Sequence, residues 1–157
     1  MIDLHSHLLP NIDDGSCSMR DSLNLAKSAV SNGVEIALMT PHHKNGTYIN
    51  HKKDVVRLTE EFQKKLNSEN IALQVFPSQE IRINGDLLTD LKKNDILFSD
   101  ERDRYILLEF PDNDVPTYSW NLIFKLMQYG IHVQIAHPER NTKIMSNPDI
   151  LYRLIEN

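Results

Sequence analysis

Five short, largely apolar runs constrain this chain more than any other feature of its sequence. They fall at residues 2–4, 34–39, 71–76, 105–108 and 131–136. Each is too short for a stable helix, so each reads as a buried strand. Segments with helical spacing separate them. Residues 19–32 carry Leu23, Ala26, Ala29 and Val30 at that spacing, with Ser18 as N-cap, Asp21 in the first turn and Gly33 just past the end. Residues 50–67 form a long polar helix buried through Val55, Val56, Leu58, Phe62 and Leu66. A short helix is expected at 85–93. Another spans 116–129, with Trp120, Ile123, Phe124 and Met127 inward and Gly130 closing it, and a last one starts at Pro148. Strands alternating with helices predict an α/β fold with a parallel sheet.

The residues at the strand ends are the second constraint. His5 and His7 end the first, His42 and His43 come just after the second, and Glu80 comes after the third. Glu109 ends the fourth, and His137 with Arg140 lies just past the fifth. Residues two apart on an extended chain share a side, so His5 and His7 can grip one ion. Parallel α/β folds gather function at the C-terminal ends of their strands, so these ends converge on one cleft. Imidazoles with bridging carboxylates form a ligand set for two or more divalent ions, and Glu80 and Glu109 are the candidates for bridging. Manganese, iron and zinc all suit such a set, and spacing does not choose among them.

The remaining polar residues read more plainly. Asp3 is either a local cap or a partner of a ligating histidine. Asp13 is a turn former. His43 is a solvated neighbour, His51 and His132 are surface or packing residues, and Arg82 and Arg104 are surface charges. Glu139 pairs locally, and Tyr48 is read as a packing residue, the alternative being a position at the cleft rim.

Composition removes several function classes. The formal net charge is -5 with no basic run, so nucleic acid is a poor partner. One cysteine, Cys17, permits no intrachain disulfide and suits a reducing, cytoplasmic setting. No leader pattern opens the sequence, and no apolar run is long enough to span a membrane. The apolar fraction of 40% and charged fraction of 25% fit a globular domain rather than a disordered chain.

Five blocks carry a resemblance in combination. They are D-L-H-S-H-L-L-P-N-I-D-D-G at 3–15, T-P-H-H at 40–43, Q-E-I-R-I at 79–83, Y-I-L-L-E-F-P at 105–111 and I-A-H-P-E-R-N at 135–141. Together they resemble the PHP (polymerase and histidinol phosphatase) superfamily. Within it they resemble the CpsB/CapC group of Gram-positive tyrosine-protein phosphatases, which act on capsule and exopolysaccharide kinases. The resemblance implies a distorted β/α barrel, seven-stranded in the family, with a metal cluster at its mouth. It implies metal binding by His5, His7, His42, Glu80, Glu109 and His137, with Asp14 as general acid and Arg140 as a phosphate contact. It gives His43 no role. Manganese is the first metal expected.

The activity implied is metal-dependent hydrolysis of phosphotyrosine on protein, such as a bacterial tyrosine kinase's tail. At the rim, Tyr48 would stack on the phosphotyrosine ring. A small-molecule phosphatase of the histidinol-phosphate type is one alternative. A module that binds a phosphotyrosine tail without turnover is another. No arginine lies beyond Cys17 at the spacing of a Cys-x5-Arg loop, so a cysteinyl-phosphate route is not expected. Family chains continue to a late strand ending in Asp-x-His, which this sequence does not reach. Residues 1–157 are therefore expected to form a single PHP domain, an incomplete barrel of about five parallel strands lacking its C-terminal part. Oligomeric state stays open.

Overall fold

Proline placement shapes the sheet. In the computed structural model, which describes residues 1–155, strand β1 (Ile2–Ser6) pairs in parallel with β2 (Ile36–Met39), and β2 pairs with β4 (Gln74–Pro77). Pro41, just past β2, lacks the amide hydrogen that a continuing ladder would use, whereas Pro77 still pairs with Met39 at the end of β4. The strands break here and resume as β3 (His42–His43) and β5 (Glu80–Arg82). These pair with each other, and the second sheet continues through β6 (Tyr105–Glu109) to β7 (His132–Ile135). Every strand pair is parallel. The backbone N–H of Ser78 donates to Met39 O at 2.8 Å and that of Glu80 to Pro41 O at 3.1 Å, so hydrogen bonding carries across the break. The expected mixed α/β architecture with parallel strands is present, with two short strands added after the prolines.

Each sheet has its own core. Helix α1 (Met19–Ser31) starts where Ser18 Oγ accepts the Asp21 amide at 3.1 Å. It ends before Gly33, whose φ of +85° suits a residue without Cβ. Helix α2 (Lys52–Ser68) buries Val55, Thr59, Phe62 and Leu66. With Ala26 they cover Ala37, Met39 and Val75 of the first sheet. Helices α3 (Leu87–Lys92) and α4 (Ser119–Gln128) cover Ile81, Ile106 and Leu108 of the second. Two further helices, α5 (Thr142–Ser146) and α6 (Asp149–Ile155), close the described chain.

Helix α4 corrects one expectation. Its buried face is Ser119, Leu122, Ile123 and Leu126, while Phe124 is 54% exposed and Met127 is also exposed. The sequence offers two overlapping apolar stripes at helical spacing, and packing on the sheet selects the one made of Leu122, Ile123 and Leu126. Trp120 lies between the two, half-buried, with the Arg153 guanidinium 4.4 Å from its ring centre.

Phe62 is wholly buried at the centre of the first core. Phe62→Ala is expected to cost about 3–5 kcal/mol of unfolding free energy in urea denaturation. A loss below about 1 kcal/mol would mean that α2 does not pack as described.

Candidate metal centre

A single carboxylate gathers the strand ends. Glu80 has no exposed surface, and four imidazoles reach it. Its Oε2 lies 3.0 Å from His5 Nε2, 3.1 Å from His7 Nε2 and 3.2 Å from His42 Nδ1. Its Oε1 lies 2.6 Å from His137 Nε2. Glu109, also buried, stands 3.5 Å from His42 Nδ1 and 3.8 Å from His137 Nε2. All six residues expected to bind metal thus share one cluster, although they come from five separate stretches of chain.

Local structure explains each placement. His5 and His7 project from the same side of the first strand and its extension, with their Nε2 atoms 3.1 Å apart. Register sets His42 on β3 opposite Glu80 on β5. His137 lies just past β7 with a φ of +27°, a conformation that non-glycine residues rarely adopt. It leads into the 3₁₀ turn Pro138–Arg140.

Asp13 does more than shape a turn. Its Oδ2 sits 2.7 Å from His7 Nδ1 and also accepts the His42 amide at 3.2 Å. Its Oδ1 accepts the Gly15 amide at 3.0 Å. A carboxylate on Nδ1 fixes the ring and leaves Nε2 aimed into the cluster. Gly15 is needed here, because a Cβ at that position would run into the carbonyl oxygen and Cβ of His7. Asp3 is a local cap, accepting the His5 amide at 3.1 Å.

Without a cation, protons must hold this cluster together. Burial works to lower the pKa of His7, but hydrogen bonds to Asp13 and Glu80 outweigh it and push the value up to about 9. Burial likewise works to raise Glu80, and hydrogen bonds from His5 and His7 overcome it, holding the carboxyl well below its usual range. Burial opposes the charge on His42 too, but Glu109 and Glu80 raise its pKa. Even so, the buried Nδ1 of His42 makes no hydrogen bond of acceptable geometry. Nitrogen and oxygen lone pairs converging this closely, with one buried nitrogen left unsatisfied, suit a divalent cation. Three overlapping groups bring their ligand atoms within 4.8 Å of one another: His5, His7 and Glu80; His7, Asp14 and His42; and His42, Glu80 and Glu109.

Of the other candidates, Asp14 and Tyr48 contact the cluster through His42, while no contact among the described residues joins Arg140, His51 or His132 to it. The Asp14 side chain is 65% exposed at the mouth, with Oδ1 3.3 Å from His42 Nε2. The Tyr48 ring lies nearly parallel to that of His42, with centres 6.4 Å apart. Arg140 is exposed, its Nε 4.0 Å from Glu139. His51 is exposed and pairs with Asp95 at 2.7 Å, and His132 stacks on Tyr105.

Two readings are corrected. His43 is fully buried rather than solvated, because neighbouring strand residues point to opposite sides and His42 takes the cleft side. Its Nδ1 contacts Asn50 O at 2.9 Å, and burial pushes its pKa down. Arg82 is not a surface charge: its side chain is only 20% exposed, and it makes two bonds to Glu109. The available signal was its spacing, two residues beyond Glu80 and therefore on the same side of β5.

This constellation accompanies a sequence match along the whole chain: the family described as capsular polysaccharide synthesis, CpsB/CapC, matches residues 1–157. The chain belongs to the CpsB/CapC family. It is similar to the tyrosine-protein phosphatase YwqE of Bacillus subtilis (strain 168), at 44% identity over 156 residues, covering 99% of this chain and 61% of that one. It is 36% identical to CapC of Staphylococcus aureus over 155 residues, covering 99% and 60%. It superposes with a TM-score of 0.94, at 44% identity, on a crystal structure from a study of YwqE from Bacillus subtilis and CpsB from Streptococcus pneumoniae. Those proteins are described there as unique metal-dependent tyrosine phosphatases, and the match covers 99% of this chain and 63% of that one. The chain thus spans about three fifths of the length of these CpsB/CapC relatives.

The raised pKa of His7 has a consequence for stability. In metal-free protein the folded state holds this proton more tightly than the unfolded chain does. The stabilisation is complete below pH 6.5 and is lost as pH rises through about 9. Glu80 acts in the opposite sense, its contribution being lost as pH falls below 4.5. The Tm of chelator-treated protein is expected to fall by about 5 °C or more between pH 6.5 and 9. Saturating divalent metal should remove that fall, because deprotonated imidazoles bind cations better. A flat metal-free profile would contradict the His7–Asp13–Glu80 arrangement.

Proposed function

We propose that this chain forms a PHP domain that hydrolyses phosphotyrosine on protein in a metal-dependent reaction. The substrate proposed is the tail of a tyrosine kinase that regulates capsule or exopolysaccharide synthesis in the cytoplasm. One observation carries the reading: the two oxygens of Glu80 face different histidines, Oε2 toward His5, His7 and His42, and Oε1 toward His137. That is the geometry of a carboxylate able to span two cations. The names of the YwqE and CpsB relatives and the description of the family support the substrate class. No helix among the described residues is long and apolar enough to cross a membrane.

His5, His7, His42, Glu80, Glu109 and His137 would hold the ions, with manganese the metal proposed from among manganese, iron and zinc, all of which suit such a set. Bound divalent ions supply positive charge to phosphoryl oxygens and lower the pKa of a coordinated water toward neutrality. The protein's own groups do the rest. Asp13 keeps the His7 ring turned so that Nε2 faces the cluster. Asp14, exposed at the mouth, donates a proton to the leaving phenolate oxygen. Arg140 binds the non-bridging oxygens through its planar donors. Tyr48, parallel to His42 at the rim, offers a face for the substrate ring. Cys17 is no nucleophile, since its thiol donates to Asp21 at 2.8 Å and that bond raises its pKa.

With Mn²⁺ present, phosphate release from a phosphotyrosyl peptide is expected to exceed release from histidinol phosphate. Chelation or Glu80→Gln is expected to lower the peptide rate by about 100-fold or more. Chelated protein that works as fast as loaded protein would overturn the metal-dependent reading. Preference for histidinol phosphate would overturn the substrate class.

A further inference from the structure

Arg82 binds a member of the cluster and has no part in the chemistry above. It is the register partner of Glu109 across β5 and β6. Its Nε donates to Glu109 Oε2 and its Nη2 to Glu109 Oε1, both at 3.0 Å. This parallel two-bond pairing needs the rigid fork of a guanidinium. The same two oxygens face the cluster from their other side, Oε2 toward His42 Nδ1 and Oε1 toward His137 Nε2. Glu109 is therefore held between an arginine behind it and two imidazoles in front.

We propose that Arg82 is a positioning residue of the metal centre, fixing both oxygens of Glu109 so that only the lone pairs facing His42 and His137 remain for a cation. The proposal rests on the reading of the cluster as a metal centre. Each Glu109 oxygen already accepts one N–H, so the carboxylate presents its oxygens separately rather than closing both on one ion. Two effects of the arginine compete. Its charge repels a cation, so removing it would tighten metal binding. Its fork orients a ligand, so removing it would loosen metal binding. Orientation dominates, because Glu109 is buried and has little water to replace the lost bonds. Partners that orient a metal ligand typically matter by about 10–100-fold in affinity. Lysine keeps the charge but, as a point donor, cannot hold two oxygens in one plane.

The test is calorimetric titration of the 157-residue chain with Mn²⁺. It compares wild type, Arg82→Lys, Arg82→Gln, Glu109→Gln and the Arg82→Gln/Glu109→Gln double variant. Both Arg82 variants are expected to weaken, by about 10–100-fold, the Mn²⁺ site that Glu109→Gln weakens. Arg82→Gln should add nothing once Glu109 is already Gln, because Arg82 acts through that carboxylate. Arg82→Lys retains the charge and stem, so it carries the comparison if Arg82→Gln does not fold. Unchanged or tighter binding in the Arg82 variants overturns the proposal. So does wild-type affinity in Arg82→Lys alone, or additive losses in the double variant. A wild-type chain that takes up no Mn²⁺ overturns the metal-centre reading itself. Normal wild-type uptake with unaltered Arg82 variants overturns only the role of Arg82.

Discussion

A buried carboxylate among four imidazoles is the interaction on which the rest of this molecule turns. Glu80 has no exposed surface, and burying a lone charge is costly unless it is paired. Here the pairing comes from His5, His7, His42 and His137, four groups spread over most of the sequence. The cluster can satisfy Glu80 in two ways: with protons on the imidazoles, or with cations between the imidazoles and the carboxylate. Protons leave His42 Nδ1 unsatisfied, whereas a cation could take that nitrogen together with Glu80 and Glu109. Metal binding and fold stability are therefore linked through the same atoms.

The sheet is broken to make this meeting possible. Pro77 ends β4 opposite Met39, Pro41 follows β2 two residues later, and the chain resumes with His42 and Glu80 in register. Continuous β2 and β4 strands would carry the next side chains straight on. Other residues then hold the clustered side chains from outside. Asp13 holds His7, Gly15 lets the loop close over His7, and Arg82 holds Glu109.

The architecture was largely legible in the sequence, because short apolar runs and capped amphipathic helices are local signals. Ser18, Gly33 and the Phe62 stripe all behave as their spacing implies. The clustered histidines and glutamates were legible for a different reason: parallel strands finish on one side, so residue type at a strand end is informative. What escaped was chosen by tertiary packing. Two apolar stripes compete on α4, and only the sheet decides that Phe124 stays outside. His43 looked equivalent to His42, yet strand alternation sends it toward Asn50. Arg82 and Asp13 read as surface and turn residues because their contacts with Glu109 and His7 form only once the cleft is assembled.

The most direct measurement is anomalous diffraction at the manganese edge from crystals of this chain soaked with Mn²⁺. Separate peaks are expected on the two sides of Glu80, one beside Oε2 in reach of His5, His7 and His42, the other beside Oε1 toward His137 and Glu109. Peaks lying away from Glu80, or a cleft without any, would contradict the claim that these strand ends build a shared metal centre.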